Sequence, residues 1–191
     1  MQSSIGAFAI SILAVLILTG GTFAQSRDYF TADEVELIRD AQDIDLRIMV
    51  LTHSVDRRLV VLKIESNGVP AKEPEKWGPL PTGSRLELFT DIKRIIQKAI
   101  DDIDDTAAHA GTKMEREIEN TDRSKKDKSK DKSKEEKPFH RAVRLLAEAA
   151  SKYKPLFAAQ LDSSSDPKEK GVILASIDLC DQITAAAAKP Y

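Results

Sequence analysis

Residues 31–68 read TADEVELIRDAQDIDLRIMVLTHSVDRRLVVLKIESNG, and the reading of this stretch decides the fold. It opens on Thr31-Ala32-Asp33-Glu34, a capping box in which the Thr31 side chain bonds the backbone at Glu34 and Glu34 reaches back. Apolar residues then recur at Leu37, Ala41, Ile44, Ile48, Leu51, Val55, Leu59 and Leu62. Steps of three and four, with one slip, make a helical stripe. Asp40, Asp43, Arg47, Asp56, Arg57 and Lys63 fall on the polar side, with Asp43 and Arg47 in the supportive order four apart. Leu59-Val60-Val61-Leu62 has strand propensity, but the stripe running into it favours helix. The expected end is Ser66-Asn67-Gly68, where Asn67 or Gly68 takes the left-handed cap. That predicts one helix of roughly 34 residues, about 50 Å long at 1.5 Å per residue. A helix of that length needs an equally long partner.

Towards the C-terminus, Pro70, Pro74, Pro79 and Pro81 exclude regular helix from residues 67–83. The only tryptophan, Trp77, sits inside this proline-rich loop. Two roles suit it: tucking the loop, together with Leu80, against the helix ends, or anchoring a partner from an exposed position. A second helix starts at the capping box Ser84-Arg85-Leu86-Glu87 and carries the stripe Leu86, Phe89, Ile92, Ile96, Ala99, Ile103, Ala107 and Ala110, with Met114 and Ile118 as a frayed continuation. Residues 122–137 include the run KKDKSKDKSK and offer no apolar side chain to a core, so they read as a flexible Lys-rich linker. A third helix begins at Pro138 and is expected to kink or end at Pro155. A fourth opens on Asp166-Pro167-Lys168-Glu169 and places Ile173, Ile177, Cys180, Ile183 and Ala187 on one face. The expected fold is all-α: an antiparallel four-helix bundle with a Pro-rich loop and a charged low-complexity linker, the first two helices longer than the last two. An overhanging first helix would expose its stripe and favour a homodimer.

Towards the N-terminus, Ser3 to Leu18 carry no charge, Gly20-Gly21 break the run, and Thr22-Phe23-Ala24 offers small residues where signal peptidase needs them. Residues 1–24 therefore read as a signal peptide, cleaved after Ala24, and residues 25–191 as a single helical domain. The rival is an uncleaved anchor: the n-region has no Lys or Arg, and the apolar run from Ile5 falls short of the roughly 20 residues that cross a bilayer unless it is stretched to Ala24. Cys180 is the only cysteine, which excludes lipoprotein processing and any intramolecular disulfide. With 29 basic and 31 acidic residues, the charge balance gives no general pull towards nucleic acid or an anionic membrane.

The search for chemistry returns little. No Glu or Asp stands three residues before a histidine, as di-iron bundles require, and there is no haem, zinc or phosphate-loop motif. The best constellation is Asp102, Asp105 and His109, three oxygen and nitrogen donors on one face of the second helix that suit a divalent cation. His140, Arg141 and Arg144 form a small basic patch near a helix start, and His53 stands alone in the first helix. No cofactor is expected. The sequence points to an exported, non-catalytic interaction or structural module whose partner is protein, either a second copy or another envelope component. The alternative is a bundle that binds a small ligand or a divalent metal.

Overall fold

A computed structural model describes residues 27–64, 74–120 and 137–189, with side chains of residues 110–120 left aside. The expected signal peptide, the Ser66-Asn67-Gly68 cap and residues 122–136 of the expected linker lie outside the described residues. Every regular element among those described is helical: α1 (Ala32–Asp40), α2 (Ile44–Val61), α3 (Arg85–Asn120), α4 (Pro138–Ser163) and α5 (Pro167–Ala187), with a 3₁₀ turn at Glu75–Trp77. No described helix is long and apolar enough to cross a membrane.

The single long first helix of the sequence reading is two helices. Ala41 leaves the helical region at φ −75°, ψ 85°, and Asp43, in extended conformation, starts α2. The Ala41 carbonyl freed by the break accepts from Arg47 Nε at 3.1 Å. Tertiary bonding explains why the stripe does not stay one rod. Glu34 bonds Arg57 and Arg58, 23 and 24 residues further on. In a continuous helix those groups would stand about 35 Å apart, so α1 must fold back along α2. The stripe itself is sound: Ala41, Ile44, Ile48, Leu51, Val55 and Leu59 are all buried.

The far end of α2 also departs from expectation. It stops at Val61, before the expected Ser66-Asn67-Gly68 end, and Lys63 takes the left-handed conformation, at φ 57°. The Ile64 amide donates to Leu59 O and the Lys63 amide to Val60 O, the paired bonds of a Schellman motif, with Ile64 and Leu59 both buried beside it. As a result α2, with 18 residues, is shorter than α4 with 26 and α5 with 21, and α3 with 36 is the longest.

Both remaining caps form as read. Ser84 Oγ accepts from the Glu87 amide while Glu87 accepts from the Ser84 amide, and Asp166 accepts from the Lys168 amide at the start of α5. Pro155 does not end α4, which runs through it to Ser163. Pro155 and Ser151, whose carbonyl loses its usual donor, are both exposed, so water can replace the missing bond, while Tyr153 and Phe157 hold the opposite face in the core.

Sequential helices run antiparallel. Arg58 near the end of α2 faces Asp91 near the start of α3, and Lys154 of α4 bonds Asp181 of α5. The two hairpins, α2–α3 and α4–α5, then pack side by side in parallel. Asp45 pairs with Arg141 and Asp56 with Lys152, in step along α2 and α4; Arg85 pairs with Glu169 where α3 and α5 begin. α3 and α4 touch lightly, and α2 and α5 do not meet. The neighbours are therefore a mixture of antiparallel and parallel pairs, not the wholly antiparallel set expected. The shared core contains Ile48 and Leu51 of α2, Phe89, Ile92 and Ile95 of α3, Ala150 and Phe157 of α4, and Ile173 and Cys180 of α5.

Candidate functional site

The densest polar cluster lies where α1, the end of α2, the proline-rich loop and the start of α3 meet. It is built on Glu34, which does two jobs. Its Oε2 accepts from the Thr31 amide at 3.0 Å, completing the α1 capping box, and its carboxylate is gripped by two guanidiniums. Arg57 Nη1 donates to Oε1 at 2.8 Å; Arg58 donates to Oε1 and Oε2, each at 2.8 Å. All three side chains are at most 1% exposed.

The arginines carry the bonding outward to the backbone. Arg57 Nη2 donates to the Gly78 and Pro79 carbonyls, at 3.1 and 2.7 Å, and pins the loop. Gly78 is required there: its φ is +60°, and a Cβ would collide with the Asp33 carboxylate. Arg58 Nη2 donates to Tyr29 O at 2.5 Å. Arg58 Nε lacks a hydrogen-bond partner and lies 3.9 Å from Asp91. Asp91 is held at 2.9 Å by Arg27, which also donates to Thr82 O. Five segments are thus joined by alternating charges.

Electrostatics follows the geometry. Burial alone pushes Glu34 up, but the bonds and charge of Arg58, the Thr31 amide and Arg57 together hold it below the usual carboxylate range. Asp91 goes the other way: burial raises it, and the charges of Arg27 and Arg58 only partly offset that. Elsewhere, burial and then the Asp56 carboxylate push the Tyr153 hydroxyl well up, and burial pushes the Cys180 thiol up to about 12. Neither is poised as a nucleophile at neutral pH, since the ionised form is the reactive one.

Asp102, Asp105 and His109 are not drawn together. Asp102 is buried and paired with Lys98 Nζ at 2.7 Å; Asp105 is exposed; the exposed His109 places Nδ1 2.6 Å from the Asp105 carbonyl. Among the described residues no three His, Cys, Asp or Glu side chains converge in a way that would hold a metal ion. Trp77 is buried, 8% exposed, with its ring 4.2 Å from the His53 ring and the Arg57 guanidinium 5.6 Å from its centre. Leu80 is 42% exposed and does not help tuck the loop. The expected basic patch is divided: Arg141 turns to Asp45 at 3.3 Å and Arg144 to Glu148 at 2.9 Å.

The cluster on Glu34 was not anticipated, yet the sequence carries a signal for it. Asp56, Arg57 and Arg58 are consecutive between Val55 and Leu59. Three successive residues sweep 200° of a helix at 100° each, so with both flanking residues in the core the charges cannot all face water. No protein family matches the chain, no curated protein matches its sequence, and no solved structure matches its fold.

Proposed function

We propose that this protein is an exported, non-catalytic interaction module: a four-helix bundle of α2–α5, capped at one end by α1 and the proline-rich loop, that works by holding another protein. Export rests on residues 1–24, read as a cleaved signal peptide. The interaction reading rests on one observation: the charged cluster at the cap is spent on internal bonds, while α2 presents Leu46 and Met49, one turn apart, at 44% and 45% exposure. Exposed apolar neighbours on one helix face suit a partner surface. No second reading of the charged cluster is favoured, because the Glu34 carboxylate is already held by Arg57 and Arg58.

Site-specific photocrosslinkers at Leu46 and Met49, compared with one at Leu174, test this in the producing cells. Leu174, 49% exposed on α5, is the control. One dominant crosslinked species from both α2 positions and none from Leu174 is the expected result; equal labelling at all three overturns the α2 face as the contact. The intact mass of the same material should begin at Gln25. A mass that keeps residues 1–24 replaces export with anchoring.

A further inference from the structure

At the end of the helices away from the charged cluster, α3, α4 and α5 leave an open groove of about 220 Å³ between them. Ile100 and Ile103, Val143 and Leu146, and Ile183 and Ala187 supply its apolar wall, with the buried Leu146 and Ile183 as floor. The groove exists because α5 ends in alanines, whose side chains are too short to fill the space a leucine would take.

Among the described residues that line it, Asp104 is the charged one. Asp104 has no bonding partner among the described residues, and Asp101 and Asp105 stand beside it on α3. Gln182 adds a side-chain amide whose oxygen accepts. A carboxylate and an amide oxygen favour a cation, over a floor that favours hydrocarbon.

The geometry points to a binding site for a small amphiphilic monocation, a primary alkylamine whose ammonium donates to Asp104 and Gln182 while its chain lies on Leu146 and Ile183. At about 220 Å³ the space takes a short alkyl chain. This assignment is independent of the α2 contact surface and stands or falls separately.

Titration of the full chain with n-hexylammonium, followed by amide shifts in two-dimensional NMR, is the test. Saturable shifts at Asp104, Gln182, Ile183 and Ala187 are expected, with hexanoate and hexanol each binding at least about fivefold more weakly. Asp104→Asn, a surface change that leaves the helices intact, should weaken hexylammonium about threefold or more. Ala187→Leu, which fills the groove, should abolish the shifts. Equal binding of hexanoate, an unchanged affinity in Asp104→Asn, or shifts centred elsewhere overturns the assignment.

Discussion

The two ends of α2 are held in different ways. Around Ile48 and Leu51 the helix is fixed by apolar side chains from α3 and α4, in contacts that are non-directional and tolerant of small shifts. Around Arg57 and Arg58 it is fixed by charge-assisted hydrogen bonds whose geometry is specific and whose partners have no water to fall back on. Apolar burial brings the hairpins together; the charged cluster decides where α1 and the proline-rich loop sit. A buried ion network adds less net stability than its bond list implies, but loss of one member is expensive.

The largest effect expected is therefore from Glu34→Gln, which removes the buried carboxylate that Arg57 and Arg58 share. We expect a loss of about 3–5 kcal/mol in urea denaturation. Leu51→Ala, at the apolar end, should cost about 2–5 kcal/mol by opening a cavity. A difference in kind should show in hydrogen exchange: Glu34→Gln should release α1 and residues 74–83 first, whereas Leu51→Ala should lower protection throughout. Uniform loss in both variants would erase the distinction between the ends.

Acid sharpens the same comparison. Glu34 is depressed in the folded state, so its contribution is present above the unfolded value near 4.5 and is lost as pH falls through its lower folded value. Asp91 is raised, so its ionisation opposes folding above its raised value, and that cost fades as pH falls. The two oppose each other on the acid limb. Stability measured from pH 6 downward should fall more steeply in the wild type than in Glu34→Gln; parallel curves would place the acid sensitivity elsewhere. The smallest effect concerns backbone. Lys63→Gly removes a left-handed lysine and should stabilise by about 0.5–1 kcal/mol in thermal melts. A loss instead would mean that the Lys63 side chain contributes more than its backbone costs.

Much of this was legible in the sequence because it is local. The capping boxes at Thr31 and Ser84, the N-cap at Asp166, the apolar stripe of α2 and that of α3 from Phe89 to Ala99 all depend on residues within a few positions of one another, and all form. What escaped depends on distance along the chain. The break at Ala41 has neither glycine nor proline to announce it; it follows from Glu34 seeking two arginines more than twenty residues away. Lys63 ends α2 where Gly68 looked better suited, because Ile64 has a core position to fill. Pro155 is harmless because the tertiary arrangement turns it to water. Asp102, Asp105 and His109 share a helical face on paper, but ligation needs side chains that converge, and Asp102 turns inward to Lys98 instead.

The parallel packing of the two hairpins makes the chain divisible. Among the described residues, the bonds that join them include Asp45 to Arg141, Asp56 to Lys152, Tyr153 to the Thr52 carbonyl, Arg85 to Glu169 and Arg85 to Gln160. A cut between Asn120 and Lys137 leaves both partners of each of those bonds within the two pieces and turns an intramolecular docking step into a bimolecular one. Pieces ending at Asn120 and beginning at Lys137 should find each other when produced separately, so this molecule can serve as a pair of complementing fragments.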